Sequence, residues 1–145
     1  RKIIVTEFIT LDGVIEAPGG KETHIRTLVG NSFADPINSL PKYVVSRSLK
    51  SAEWNNSHIL RDVANEVATL KHSDGGDILV YGSGTLVKAL LHHDLIDELR
   101  LMVYPLTIGG GLRLFDDNCE LKKFVLKHSR ATAEGILILE YQATI

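Results

Sequence analysis

A mixed α/β domain is the fold that this chain predicts, and three observations carry the prediction. Short β-branched and apolar runs, such as Ile3-Ile4-Val5 and Ile78-Leu79-Val80-Tyr81, alternate with stretches of helical periodicity. Two further strand-like runs, 124–130 and 136–142, are joined through Ala133-Glu134-Gly135, the pattern of an antiparallel hairpin. The length of 145 residues suits a single domain, with no repeat or low-complexity tract to suggest a second. A domain of that size can bury a core without disulfides or a structural metal.

Each element has its own local reason. Lys2 to Thr10 lacks helical spacing and predicts a strand buried on both faces, as in the middle of a parallel sheet. Leu11-Asp12-Gly13 ends it, a short extended stretch follows at 14–16, and Pro18-Gly19-Gly20 closes the segment. From 21 to 40 the pattern is weak, and Pro36 and Pro41 limit any helix there. Tyr43-Val44-Val45 and His58-Ile59-Leu60 predict short strands. Asp62 is a candidate N-cap for a helix from Val63 to about Lys71, with Val63, Val67 and Leu70 on one face and Gly75-Gly76 at its end. Ile78 to Tyr81 reads as a buried strand, and Thr85 to His92 as a helix turning Leu86, Leu90 and Leu91 inward. Leu99 to Tyr104 reads as a mostly buried strand stopped by Pro105.

Composition narrows the function. With 44% hydrophobic and 23% charged residues the chain is an ordinary globular one. Its 16 basic residues against 18 acidic ones give a net charge of −2 and no surplus to neutralise a phosphate backbone, so nucleic acid is not an expected partner. No apolar run approaches the ~20 residues that span a membrane, and no charged-then-apolar leader is seen. Cys119, the single cysteine, cannot form an internal disulfide. The expected address is the cytoplasm. A start at Arg1 rather than methionine implies preceding residues or processing. The six histidines show no metal-ligand spacing. Asp97 and Glu98 can be read as a carboxylate pair, although neighbours just before a strand fit capping or a solvated position better.

Three motifs carry chemistry. The first is Ile78-Leu79-Val80-Tyr81-Gly82-Ser83-Gly84-Thr85-Leu86, a strand turning through small residues into a helix. Glycines allow close backbone approach, and the first amides of a helix lack internal partners and attract phosphate oxygens. Ser83 and Thr85 can add hydroxyl bonds. The same residues also suit a turn with no ligand. The second is Val44-Val45-Ser46-Arg47-Ser48, where a guanidinium between hydroxyls suits a phosphate monoester such as the 2′-phosphate of NADPH, or else is a polar turn. The third is Thr10-Leu11-Asp12-Gly13. Asp12 there can meet a substrate beyond the carboxyl end of its strand, or hold its own turn.

Taken together, Ile4 through Gly13, Pro41 through Ser48 and Ile78 through Phe115 resemble the C-terminal domain of bacterial deaminase-reductases of riboflavin biosynthesis, which share the dihydrofolate reductase fold. The likeness is close in Leu40-Pro41-Lys42-Tyr43-Val44-Val45-Ser46-Arg47, in Ile96-Asp97-Glu98-Leu99-Arg100-Leu101, and in Gly109-Gly110-Gly111-Leu112-Arg113-Leu114-Phe115. It implies a three-layer α/β/α domain with a mixed, mostly parallel sheet and a C-terminal antiparallel hairpin. It implies NADPH as cofactor, with hydride passing to a heterocyclic or heterocycle-linked C=N or C=O group. By this resemblance Ser46 and Arg47 face the adenosine phosphate, and Gly82, Ser83, Gly84, Thr85, Leu86 and Val87 cradle the pyrophosphate. Thr10, Asp12, Gly13 and Tyr81 border nicotinamide and substrate, with Asp12 or a water as the candidate proton donor. The resemblance also implies a homodimer, with edge strands as the candidate contact.

Two departures from that family stand out. Its riboflavin-pathway members carry a glutamate before the glycine turn, and this chain has Tyr81. They also place a helix and a strand where this chain has only the residues between about 21 and 39. Both departures keep open a different class of function, a nucleotide- or pterin-binding module without turnover.

Overall fold

In the computed structural model, residues 1–15, 40–46, 50, 56–82, 84–117 and 119–144 are described, so the expected absence of a helix and strand between about 21 and 39 lies outside the described residues. In chain order these residues form β1 (Ile3–Thr10), β2 (Lys42–Val45), β3 (Ser57–Leu60), a π-helical segment (Val63–Val67) running into α1 (Ala68–His72), β4 (Ile78–Tyr81), α2 (Gly84–His92), β5 (Glu98–Tyr104), β6 (Phe124–Ala131) and β7 (Leu137–Ala143). Two compact units result, one of residues 1–19 with 71–145, the other of residues 20–70.

The first unit is organised around β1. Six of its eight residues are buried, because it pairs in parallel with β4 on one edge and β5 on the other. The five-stranded order is β4-β1-β5-β7-β6, with β7 antiparallel to β5 and β6 antiparallel to β7. Gly135, at φ +85°, allows the hairpin turn between the last two strands. The sheet is therefore mixed, as the sequence predicts, and ends in the expected antiparallel hairpin.

Alternation along β1 sorts the core. Ile3, Val5, Glu7 and Ile9 share one face with Val80 of β4 and with Leu99 and Leu101 of β5. That face is shielded, and α2 contributes Val87, Leu90 and Leu91 to the same buried set. The opposite face carries Phe8, Leu79 and Tyr81, exposed by 37%, 49% and 59%. The expectation that Ile78 to Tyr81 is a buried strand is thus corrected: among the described residues β4 is an edge strand, Ile78 and Val80 are half-buried, and Leu79 and Tyr81 are exposed. The base of the unit is tied by Asp97, whose Oδ2 accepts from the Ile3 amide at 2.8 Å and from Lys71 Nζ.

In the second unit β2 and β3 pair in parallel, Lys42 opposite Ser57 through Val45 opposite Leu60. Asp62 caps the helical segment as predicted, accepting from the amides of Ala64 at 2.9 Å and Asn65 at 3.4 Å. Glu66 reaches back to accept from the Asp62 amide at 2.9 Å, so the cap is reciprocal. Among the described residues no helix is long and apolar enough to cross a membrane, and no histidine, cysteine or carboxylate cluster could hold a metal.

Candidate functional site

The strand-to-helix turn forms where the sequence places it. β4 ends at Tyr81, Gly82 takes φ +68°, and α2 begins at Gly84. A left-handed conformation at Gly82 excludes most side chains, so the glycine is required by backbone geometry. Its amide donates to the Thr6 carbonyl at 3.1 Å, extending the β1–β4 ladder by one bond. A methyl group built on Gly82 would meet nothing within 4 Å, so the space beside it is open.

Gly84 differs. A methyl group there would sit 2.1 Å from Ile15 Cδ1 and 3.0 Å from Leu112 Cδ2. Gly84 is small because the start of α2 packs against two apolar side chains, and not because a ligand approaches on that side. The amides at the start of α2, from Gly84 to Leu86, have no partner within the helix. Thr85 is exposed, whereas Val87 is fully buried and serves packing. The turn is thus open beside Gly82, and the start of α2 is exposed at Thr85. Ser83 and Arg47 lie outside the described residues. Ser46 follows β2 in the second unit, where its amide donates to the Leu60 carbonyl at 2.9 Å and its carbonyl accepts from Arg61 Nη1 at 2.8 Å.

The third motif lies past the carboxyl end of β1. Asp12 accepts from the Thr10 hydroxyl, from the Gly109 amide at 2.7 Å and from the Ile108 amide at 3.3 Å. The Thr10 hydroxyl in turn accepts from the Val14 amide at 3.0 Å. Gly13, at φ +83°, bends the chain so that its carbonyl accepts from the Leu114 amide. Ile15 donates to Leu112, and Leu11 to Leu106, so two loops distant in sequence are zipped together beyond the strand ends. The Thr10 hydroxyl, followed by the Gly109 amide, holds the Asp12 carboxyl below its ordinary pKa. That bonded carboxylate orders the glycine loop. Tyr81 stands on the exposed sheet face, with Phe8 and Tyr104 beyond it in edge contact at a centroid distance of 6.0 Å.

Sequence reasoning missed Glu7. It is only 3% exposed, its Oε1 has no hydrogen-bond partner, and burial raises its pKa from 4.5 to about 7. The available signal was a lone acid inside an otherwise apolar strand. Asp97 and Glu98, by contrast, are structural: the first anchors Ile3 and Lys71, the second pairs with Lys2 at 3.5 Å and Arg100 at 3.1 Å. A cavity of about 450 Å³ lies elsewhere, between Leu91, Leu121, Phe124 and Thr144, and contains none of the predicted site residues.

A parallel β4-β1-β5 core, a glycine turn at the carboxyl end of β4 and a terminal hairpin define a mixed α/β domain of the reductase-like class that the motifs suggested. The chain belongs to the RibD C-terminal domain family, whose model matches residues 26–138. It is 30% identical over 105 residues to "Uncharacterized protein YyaP" of Bacillus subtilis (strain 168), covering 72% of this chain and 56% of that one. To "Uncharacterized protein YwjB" of the same organism it is 30% identical over 69 residues, 48% of this chain and 40% of the relative. The chain thus spans about half the length of the curated relatives it matches.

Solved structures agree on the fold. A protein of Shewanella sp. PV-4, named provisionally for riboflavin biosynthesis, superposes with a TM-score of 0.77 over 100% of both chains at 18% identity. A pyrimidine reductase-like protein of Corynebacterium diphtheriae gives 0.69 over 99% of this chain and 92% of its own at 13% identity. The riboflavin biosynthesis reductase Rib7 of Saccharomyces cerevisiae gives 0.58 over 99% and 89%, also at 13% identity.

Proposed function

We propose that this chain is an NADPH-dependent reductase domain of the dihydrofolate reductase and riboflavin-biosynthesis deaminase-reductase type, acting on a heterocyclic or heterocycle-linked C=N or C=O group. The observation that carries the reading is the open glycine turn at Gly82, in a member of the RibD C-terminal domain family. Bound NADPH would supply a hydride to the acceptor carbon, while water supplies the proton to the nitrogen or oxygen. The chain's own part is to bind and orient. Gly82, Ser83 and Thr85, with the amides of Gly84 and Leu86, hold the diphosphate against the positive end of α2. Ser46 and Arg47 take the 2′-phosphate. Thr10 and Gly13 border the nicotinamide and substrate, Asp12 fixes the loop around them, and Tyr81 lies on the substrate side. Proximity of donor and acceptor supplies much of the rate.

The reading takes residues 1–145 as one reductase domain. The expected partner besides substrate is a second copy, supported by β6, an edge strand in which seven of eight residues are exposed. Titration of NADPH followed by its fluorescence tests the cofactor; an absence of saturable binding ends this reading. Tyr81, in the place of the family's glutamate, favours a second reading, a nucleotide- or pterin-binding module. Saturable binding without NADPH consumption across a panel of pterins, pyrimidines and simple heterocyclic carbonyls would establish that alternative.

A further inference from the structure

Glu7 has no part in the reading above, yet its position relates it to the glycine turn. Thr6 stands opposite Tyr81, the last residue of β4, so Glu7 and Gly82 are the next residues along the two paired chains. The Gly82 amide still donates to the Thr6 carbonyl at 3.1 Å, so the two chains run side by side up to the turn. The Glu7 side chain shares the shielded face with Val5 and Leu101, the face to which α2 contributes its buried residues. A buried carboxyl, without a hydrogen-bond partner at Oε1, is therefore carried by the strand residue beside the turn.

Charged groups on every neighbouring element are engaged elsewhere. On β5, Arg100 belongs to the opposite face and pairs with Glu98 and Glu140. On α2, Lys88 pairs with Asp116 at 2.9 Å. In the zipped loops, Asp12 holds the Ile108 and Gly109 amides, and Arg113 donates to the Asp12 carbonyl. Tyr81 of β4 projects to the exposed face. None of them neutralises Glu7, and burial alone sets its protonation.

Resting on the dinucleotide reading, we propose that Glu7 makes cofactor binding proton-coupled: a diphosphate held at the Gly82 turn is bound together with a proton on the Glu7 carboxyl. The balance is one proton from solvent onto one carboxylate, with no bond to the ligand. The sign follows from like-charge repulsion. An ionised Glu7 opposes the diphosphate, a neutral one does not, and by linkage the bound diphosphate raises the carboxyl's proton affinity further. Affinity is therefore greatest below neutrality and declines as pH rises through about 7, the point to which burial brings the free protein's Glu7. At the separation of neighbouring strands and a protein-like dielectric, the decline is roughly ten-fold or more.

The test is calorimetric titration of the intact chain with NADH and NADPH between pH 5.5 and 9, in two buffers of different ionisation heat. NADH is essential, since its diphosphate keeps a constant charge over this range. The expected result is uptake of a substantial fraction of a proton at pH 7.5 and a roughly ten-fold affinity loss from pH 6 to 9. Both should vanish in Glu7→Gln, which keeps the shape and removes the titration. Flat wild-type affinity for NADH, or the same pH dependence in Glu7→Gln, overturns the proposal. The wild-type proton count stands without the variant if Glu7→Gln fails to fold. No binding of either dinucleotide at any pH, by wild type or variant, instead overturns the cofactor reading itself and this proposal with it.

Discussion

Replacing Glu7 by glutamine should stabilise the free protein, and only on the alkaline side. In the unfolded chain the carboxyl has its ordinary pKa of 4.5, whereas burial in the fold raises it to about 7. At about 1.4 kcal/mol per pKa unit, the folded state loses about 3 kcal/mol through this group across that interval. The sign is set by which state binds the proton more tightly, here the folded one. Stability from this site is complete below pH 4.5, falls as pH rises toward 7, and is level above it. Glutamine cannot ionise, so Glu7→Gln should match wild type near pH 4.5 and exceed it by about 3 kcal/mol at pH 8, less whatever its amide loses through unmet hydrogen bonds. Urea unfolding at pH 5, 6, 7 and 8, with the midpoint converted through a common slope, measures the difference. A constant gap between wild type and variant over that range would refute the reasoning, since a difference in packing or hydrogen bonding does not titrate.

Four further outcomes are expected. Gly84→Ala should destabilise the fold by roughly 1–3 kcal/mol through overpacking against Ile15 and Leu112, seen as a lower urea midpoint in the absence of any ligand. Gly82→Ala meets no neighbour and should cost only about 1 kcal/mol for its left-handed backbone, while weakening NADPH, measured by fluorescence titration. Asp12→Asn should speed hydrogen exchange at the amides of Ile108 and Gly109; because the wild-type carboxyl is held below its ordinary pKa, the stability it lends is present above that ordinary value and is lost as pH falls through the lowered one, so the variant's acid limb should be flatter. Arg47→Ala should weaken NADPH by about ten-fold more than NADH, and an equal loss for both would contradict its assignment to the 2′-phosphate.

Much of the fold was legible because its signals are local. Asp62 caps its helix as its side chain predicts, β4 has the predicted limits, and the last hairpin turns at Gly135. The site was legible only as chemistry. Gly82 and Gly84 look alike in sequence, yet one is dictated by a positive φ beside open space and the other by contact with Ile15 and Leu112. The latter contact joins residues from three parts of the chain and has no local signature. Asp12 reads in sequence as a substrate contact or as the keeper of its own turn; its bond with the Thr10 hydroxyl fits the turn reading, and its bond with the Gly109 amide reaches a loop that no local signal connects to it. Glu7 went unnoticed because periodicity marks an acid in a buried strand as an exception without saying what surrounds it. The burial assigned to both faces of β4 failed since nothing in four apolar residues tells an edge strand from a central one.

The central place of β1 bears on how the chain is made. β1 precedes both of its partners in the chain, so neither of its edges is satisfied until Ile78 to Tyr81 and then Glu98 to Tyr104 have followed. Throughout that interval an aggregation-prone Ile-Ile-Val run waits for distant mates, and closing such long loops makes folding slow. Its lone acid then acts as a gatekeeper: charged in the nascent polypeptide, Glu7 discourages self-association of the very segment in which it is later neutralised.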